Sequence, residues 1–272
     1  MRFVQDVITA PPVMMPEPCI SILKLLTHTT GRDQYCRSRK TYGFHHFDNG
    51  CFRHGAVWDA NCVYPIPDEL DSVSAAPLMC AGATVWSVLT RFRICPNDRV
   101  GVMGKGGLGH LAIKLAAAKG CEVVTLSGSE SKRQEAIEFG ASEYHVFSSG
   151  SPPSKDFKPL KHLLLCGNVD VDYSSLLPLI DSCGSVYPLT ATFEPSGIPT
   201  LQFAFKGIWI QGSHVASRDD IRSLLEFAVQ KKIVPNVITF PLTIDGIEGA
   251  MQTLRDGNMR YRGVLVRKGL EV

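Results

Sequence analysis

The segment GVMGKGGLGH, residues 101–110, carries three glycines at the spacing GxGxxG: Gly104, Gly106 and Gly109. It lies between an apolar run typical of a β-strand and an apolar periodic stretch typical of a helix. In that position the first glycine permits a tight turn, the second lets a pyrophosphate approach the backbone, and the third allows close helix packing. The helix N-terminus would face the negative charge. The pattern therefore predicts a dinucleotide-binding turn, and a glycine-rich turn without a ligand is the alternative.

The next predicted strand, CEVVTLSG (121–128), ends where such a unit often carries Asp or Glu for a ribose 2′-hydroxyl. The residues that stand at this place and shortly after it are Ser127, Gly128, Ser129, Lys132 and Arg133. Hydroxyl and cationic groups attract a 2′-phosphate, so NADP(H) is favoured over NAD(H). Glu130 counts against this assignment, and a solvated helix start is the alternative role of the two basic residues.

One cysteine, Cys80, stands inside the apolar segment PLMCAGATVW (77–86). A catalytic zinc takes three protein ligands and keeps one position open, so a ligand role for this thiol requires partners. Candidates of the right atom type in one short loop are His45, His46, Cys51 and His54. Their spacing fits no established zinc motif, and surface loop residues are the alternative. Without partners, Cys80 is expected to be a small buried apolar side chain.

Composition narrows the class of protein and of partner. The chain has 272 residues, 44% of them apolar, and 28 basic against 26 acidic residues without a long run of either sign. We therefore expect a small-molecule substrate rather than nucleic acid or a membrane. Nine scattered cysteines without a CxxC pair argue against a disulfide framework. The first residues do not resemble a signal peptide and no segment is expected to span a bilayer, so a cytoplasmic location is predicted.

Alternating strand and helix patterns begin at Arg99. Strands are predicted at 99–104, 121–128, 162–167, 185–191 and 207–215, and helices at 107–120, 131–140 and 173–181. This alternation predicts a parallel, doubly wound α/β sheet. Two amphipathic helices, at 218–232 and 245–256, and a last strand at 262–267 follow. A short helix or strand is predicted at 19–26.

Several segments together resemble the zinc-type medium-chain alcohol dehydrogenases, in their cinnamyl alcohol dehydrogenase branch and especially its fungal members. The segments are PIPDELDSVSAAPLMCAGATVW, GVMGKGGLGHLAIK, SKR after the second strand, GSHVASRDDIRSLLEFA and MRYRGVLV. The resemblance implies a central Rossmann domain, a split catalytic domain built on a GroES-like β-barrel, and interconversion of aldehydes and primary alcohols with NADP(H).

The resemblance also implies roles for individual residues. Cys80 stands at the position of the third catalytic zinc ligand. The cofactor-binding positions are Gly104, Gly106, Gly107, Leu108, Gly109, Ser127, Ser129, Lys132, Gly212, Ser213 and Arg262. Of these, Arg262 matches an arginine that reaches the cofactor phosphates, and Gly212 and Ser213 match chain passing near the nicotinamide. Lys105 replaces the usual leucine, and either adds to phosphate binding or points to solvent. A homodimer through the sheet edge near 208–215 is implied as well.

Other family features have no counterpart here. The motifs that carry the first and second zinc ligands and the proton relay do not occur in residues 1–60, and only Cys36 resembles a structural zinc ligand. An incomplete barrel is therefore expected. The predicted domains are a remnant of the GroES-like catalytic domain at 1–92, the Rossmann NADP-binding domain at 93–217, and a return to the catalytic domain at 218–272.

Three functional hypotheses remain open from the sequence. The first is an NADP(H)-dependent oxidoreductase of the alcohol dehydrogenase type, with zinc possible but two ligands missing, or a zinc-free reductase of an activated carbonyl or alkene. The second is a catalytically impaired or repurposed NADP(H)-binding protein. The third is that the expressed chain differs from this one at its N-terminus, which the abrupt start of the resemblance near Tyr35 suggests.

Overall fold

The computed structural model describes residues 2–3, 7–8, 31–40, 45, 47, 50, 52, 57–148, 155–167, 171–190 and 195–267. The chain divides into two compact units: residues 1–87 together with 214–272, and residues 88–213. The domain boundaries that we predict at 92/93 and 217/218 stay a prediction. The helix or strand predicted at 19–26 lies outside the described residues.

The described strands and helices have the following bounds. The strands are β1 (Arg2–Phe3), β2 (Val7–Ile8), β3 (Pro65–Ile66), β4 (Arg99–Met103), β5 (Glu122–Ser127), β6 (Glu143–Val146), β7 (Leu160–Leu165), β8 (Ile180–Pro188), β9 (Trp209–Ile210), β10 (Val237–Pro241) and β11 (Arg262–Val266). The helices are α1 (Ser72–Pro77), α2 (Ala83–Arg91), α3 (Gly109–Ala118), α4 (Arg133–Glu138), α5 (Tyr173–Leu176), α6 (Thr200–Lys206), α7 (Arg218–Lys231) and α8 (Ile244–Arg255). One π-helical turn, Leu78–Gly82, joins α1 to α2.

Residues 88–213 form one six-stranded sheet in the order β6-β5-β4-β7-β8-β9. Each neighbouring pair is parallel. Counted from the first strand of the unit, the order is 3-2-1-4-5-6, which is the Rossmann order. The predicted doubly wound parallel sheet is confirmed, and the carboxyl ends of its strands share one edge, where such sheets bind ligands.

The central strands are apolar nearly throughout because helices cover both faces of such a sheet. In β4, Val100 and Val102 are fully buried, and β5 and β7 contribute Val124 and Leu163 in the same way. One core cluster includes Leu126, Leu160, Leu165, Tyr173, Leu176, Leu179, Ile180, Val186 and Phe203. Burial of this set supplies the main driving force for the unit.

The amino-terminal edge of the same sheet is held together by charged side chains around Arg99. This residue, 9% exposed, forms ion pairs with Glu122 and Glu143, the latter at 2.8 Å from Nη2. Its Nε also donates to the Lys158 carbonyl at 3.2 Å. Because these contacts favour the ionised carboxylate, the pKa of Glu143 falls to about 2. The starts of β4, β5 and β6 are thereby joined.

For two elements of this unit, the predicted bounds are wrong. We predict a helix over 173–181, but α5 ends at Leu176, a 3₁₀ turn covers Leu177–Leu179, and β8 begins at Ile180. Ile180 is fully buried and pairs with Leu160, so tertiary pairing overrides the local helical pattern. The strand predicted over 207–215 is confined to the two residues of β9.

The unit formed by residues 1–87 and 214–272 contains two small sheets among its described residues. In one, β10 pairs in parallel with β11, and β11 pairs antiparallel with β2; in the other, β1 pairs antiparallel with β3. Helix α7 begins with a capping box, in which Ser217 and Asp220 satisfy each other's backbone N–H groups. Asp33 adds to this helix start by accepting from Arg218 Nε at 2.8 Å. The predicted helices at 218–232 and 245–256 are confirmed as α7 and α8.

Residues 72–91 form one nearly continuous helix that includes Cys80. Pro77 lies inside it, and the π-helical turn follows directly, as expected where proline removes a backbone donor. Near its end, Trp86 Nε1 donates to Ser223 Oγ at 2.9 Å, and the Trp86 ring packs against the Phe227 ring at a tilt of 33°. The segment is long and apolar enough to cross a membrane, contrary to our expectation, but 83% of its most apolar window is buried, as in the core helix of a globular protein.

Candidate functional site

The predicted dinucleotide turn joins β4 to α3 at the carboxyl edge of the six-stranded sheet. Gly104 has a φ of +91° and its N–H donates to the Leu126 carbonyl at the end of β5. A Cβ at this position would lie 2.6 Å from the backbone of Gly167. Only glycine satisfies both the left-handed φ and this close approach. The turn is therefore fixed between the ends of β5 and β7.

The other two glycines of the pattern differ in their surroundings. A Cβ on Gly109 would lie 1.8 Å from the Gly104 carbonyl oxygen. Only glycine therefore allows this close contact between the two ends of the turn. A Cβ on Gly106 would meet no atom of the described residues within 4 Å. Gly106 is thus not required by packing, and its exposed backbone leaves space where a pyrophosphate would approach.

The start of α3 offers backbone donors beside this open space. Leu108 occupies the N-cap position and provides no side-chain cap. Gly107 and Leu108 are both half-buried, and the His110 N–H already donates to the Gly106 carbonyl at 3.0 Å. A helix N-terminus without a side-chain acceptor favours an anion. The predicted contacts of Gly107 and Leu108 with a cofactor fit this arrangement.

The predicted 2′-phosphate segment follows the carboxyl end of the neighbouring strand, β5. Ser127 ends this strand and is buried, whereas Ser129 and Lys132 are exposed. The Ser129 hydroxyl accepts from the Ser131 N–H at 3.3 Å, and its carbonyl accepts from the Tyr144 hydroxyl. These contacts fix the backbone of the segment, while the side chain of Lys132 extends from its surface.

The two neighbouring charges are paired with each other. Arg133 forms an ion pair with Glu130, donates from Nη1 to the Tyr144 carbonyl at 2.9 Å, and places its guanidinium over the Tyr144 ring. The hydrogen bond from the Arg133 guanidinium lowers the pKa of the Glu130 carboxyl. Glu130, the residue that counts against NADP(H), is therefore paired with a cation, and Arg133 is partly engaged by that carboxylate and by Tyr144.

Lys105 does not point to solvent, which is one of the two roles that the sequence suggests. Its side chain is fully buried, with Nζ 2.5 Å from Glu135 Oε2 and 3.0 Å from the Lys132 carbonyl oxygen. A contribution of Lys105 to phosphate binding stays a prediction. A charged residue in a glycine turn is ordinarily exposed, so the sequence carries no signal for this burial.

Sequence reasoning missed the residues that follow β7 and β8 at the same edge. Gly167 contacts Gly104 as described, and Thr190 Oγ1 donates to the Gly167 carbonyl at 2.6 Å. Directly before Gly167, burial raises the pKa of the Cys166 thiol to about 12, so the thiol remains protonated at neutral pH. The available signal was the glycine directly after a buried strand, LLLCG.

Gly212 and Ser213 follow β9 and so continue the same edge. Gly212 is exposed, and a Cβ there would meet no atom within 4 Å in the part of the chain that the structure describes. The Ser213 hydroxyl is buried without a hydrogen-bond partner among the described residues. Their predicted place near a nicotinamide stays a prediction.

The residues predicted around a metal are described only in part. Cys80 lies in the π-helical turn and is half-buried rather than buried, contrary to the expectation for a cysteine without partners. Its carbonyl accepts from Thr84 Oγ1 at 2.9 Å. Across the described ranges, no three His, Cys, Asp or Glu side chains form a group that could hold a metal. His45 is exposed, whereas three other candidates are not described: His46, Cys51 and His54.

Arg262 is the first residue of β11 and belongs to the unit formed by residues 1–87 and 214–272. It is half-buried there. Its predicted contact with the cofactor phosphates stays a prediction, because the glycine turn belongs to the other unit.

Comparison with known proteins places these features in context. Residues 107–230 match the family model described as zinc-binding dehydrogenase. Cinnamyl alcohol dehydrogenase 8 of Arabidopsis thaliana is 32% identical over 251 residues, which cover 87% of this chain and 67% of that protein. NADP-dependent alcohol dehydrogenase C 1 of Mycolicibacterium smegmatis is 31% identical over 242 residues, covering 86% of this chain and 69% of that protein.

The fold has solved counterparts as well. A cinnamyl alcohol dehydrogenase from Sorghum bicolor superposes with a TM-score of 0.80 at 26% identity, covering 93% of this chain and 72% of that structure. The glycine turn, the strand order and these similarities agree with the resemblance read from the sequence. The chain belongs to the medium-chain alcohol dehydrogenase family.

Proposed function

We propose that the protein is an NADP(H)-dependent oxidoreductase of the alcohol dehydrogenase type that interconverts an aldehyde and a primary alcohol. The observation that carries this proposal is the glycine turn, in which Gly104 and Gly109 are required by close contacts but Gly106 is not. Packing does not require glycine at position 106, which lies beside the uncapped start of α3. A ligand that approaches the backbone explains why glycine stands there.

The described residues fit a dinucleotide. Gly106, Gly107 and Leu108 would hold its pyrophosphate through backbone N–H groups at the start of α3. The chain beyond β9, with Gly212 and Ser213, would border the nicotinamide. When bound, the cofactor supplies or accepts a hydride, and the protein binds and orients the reactants.

Selectivity for the 2′-phosphate rests on the segment after β5. Ser127 and Ser129 present no carboxylate at the place where one would bind a free 2′-hydroxyl, and Lys132 adds a cation. Glu130 does not oppose a phosphate with its full charge because Arg133 pairs with it. The Mycolicibacterium smegmatis relative is NADP-dependent by its name, which supports the same choice here.

The described residues do not fit a catalytic zinc, because Cys80 has no group of partner ligands among them. No metal is assigned a role in the proposed reaction. The alternatives are a zinc-free reductase of an activated carbonyl or alkene and a binding protein without turnover.

We further propose a homodimer that forms through β9. This strand lies at one end of the six-stranded sheet, and Trp209 within it is 67% exposed. Light scattering on the full chain tests this proposal, and a monomeric mass at micromolar concentration would contradict it.

The test of function is titration of the full chain with NADPH and NADH, followed by nicotinamide absorbance with a panel of aldehydes. We expect at least about 10-fold tighter binding of NADPH, which corresponds to about 1.4 kcal/mol. Oxidation of NADPH that depends on an aldehyde supports the enzyme. Binding without turnover, even with conjugated acceptors, supports the binding protein, and absence of binding contradicts both.

A further inference from the structure

The buried Lys105 links the glycine turn to the segment that follows β5. Its ammonium donates to the Lys132 carbonyl at 3.0 Å and pairs with Glu135 at 2.5 Å. The Phe139 ring lies 5.1 Å from the same nitrogen. The Lys105 side chain has no exposed surface, while that of Glu135 is 30% exposed. One cation thus joins the pyrophosphate turn to the backbone of the residue assigned to the 2′-phosphate.

We propose that Lys105 is a positioning residue that determines the preference for NADP(H) over NAD(H). This inference rests on the proposed function and assigns part of its selectivity to a residue outside the predicted cofactor contacts. Lys105 has two effects. It fixes the Lys132 backbone relative to the turn, and it neutralises Glu135 close to the 2′-phosphate subsite.

The charge effect has a definite sign because of where Glu135 stands. It follows Lys132 by three residues at the start of α4, and residues at this spacing neighbour each other on a helix. Without Lys105, a carboxylate without its buried partner would remain beside a subsite for a phosphate that carries nearly two negative charges. Without the Glu135 charge, a buried ammonium would remain there instead. Loss of the same ion pair from either side therefore has opposite consequences for NADPH.

The experiment measures dissociation constants of NADPH and NADH for the full chain and two single variants, Lys105→Met and Glu135→Gln. We expect Lys105→Met to weaken NADPH binding about 10-fold and NADH binding less than about 3-fold, since only NADPH carries the extra phosphate. We expect Glu135→Gln to strengthen NADPH binding severalfold. The double variant should recover part of the lost NADPH affinity, because it no longer has the Glu135 carboxylate. It should not recover all of it, because it still lacks the hydrogen bond from Lys105 to the Lys132 carbonyl.

Lys114→Met is the matched control. Lys114 Nζ lies 4.7 Å from the centroid of the same Phe139 ring, on the helix that follows the turn. Loss of this lysine removes a similar cation and a similar contact with the ring, but not the hydrogen bond to Lys132. The ratio of the two dissociation constants should remain at the wild-type value.

The outcomes separate this inference from the proposed function. A wild-type protein without preference for NADPH contradicts the proposed function. A wild-type preference with both single variants changed in the same direction, or with the Lys105→Met ratio unchanged, contradicts only the role of Lys105. If Lys105→Met does not fold, Glu135→Gln decides, since unchanged or weaker NADPH binding in this variant contradicts the charge argument.

Discussion

The glycine turn after β4 and the π-helical turn at Leu78–Gly82 differ in the groups that they offer to a ligand and in where the remaining groups of a site would come from. At the glycine turn, the groups available to a ligand are backbone N–H groups, and the turn is held by contacts with Leu126 and Gly167 in the same sheet. At the π-helical turn, the candidate group is a single side chain, Cys80, whose partners would come from other segments.

This difference shows which kind of site can be predicted from a short stretch of sequence. A site built from the backbone is largely complete once its strand, turn and helix form. A zinc site requires several side chains brought together from separate segments, so one matching residue carries little information about the others. The following experiments test the contrast, in order of the size of the expected effect.

Substitution of Gly109 should have the largest effect, on stability. A Cβ there would lie 1.8 Å from the Gly104 carbonyl, a contact that the turn has no space to relieve. We expect Gly109→Ala to reduce the free energy of unfolding by about 3 kcal/mol. Urea denaturation followed by far-UV circular dichroism measures it. Gly249→Ala is the control, since a Cβ there meets nothing within 4 Å. Equal stability of Gly109→Ala and the wild type would show that the turn is not closed in this way.

Substitution of Gly106 should separate binding from folding. A side chain there has open space, but a carboxylate would occupy and repel the pyrophosphate position. We expect Gly106→Asp to weaken NADPH binding at least about 100-fold, or about 2.7 kcal/mol, with the melting temperature nearly unchanged. Fluorescence titration and thermal denaturation measure the two quantities. Unchanged NADPH affinity would overturn the assignment of the turn.

The segment after β5 should control the choice of cofactor. The double change Ser129→Glu and Lys132→Ala adds a carboxylate for the 2′-hydroxyl and removes the exposed cation. We expect the ratio of NADPH to NADH affinity to fall about 30-fold, or about 2 kcal/mol. Lys155→Ala, a change at an exposed lysine in the same unit, is the control. A ratio that does not move would show that the 2′-phosphate is bound elsewhere.

Substitution of Cys80 should have the smallest effect. Because the described residues give this thiol no group of partner ligands, we expect Cys80→Ala to change NADPH affinity less than about 2-fold, which is within about 0.4 kcal/mol. Zinc content by atomic emission should be the same in both proteins. A wild-type content near one zinc per chain that disappears in the variant would show that ligands beyond the described residues complete a site.

The sequence predicts the nucleotide-binding unit well because its signals are local. The glycine spacing, the apolar strands and the helical period each lie within about twenty residues of one another. The contact of Gly104 with Gly167 was not predictable in this way, because it depends on β7 lying beside β4. The early start of β8 and the burial of Lys105 were missed for the same reason, since each depends on a partner distant in the sequence.

The cluster around Arg99 has a consequence for how the six-stranded sheet opens. It joins the starts of β4, β5 and β6 at the edge opposite the glycine turn. Local opening at the ligand edge can therefore occur while the strand starts remain paired, so amide hydrogens near Arg99 should exchange more slowly than those of residues 105–108. The ligand edge can thus open and close without loss of the strand order, which the contacts of Arg99 maintain at the opposite edge.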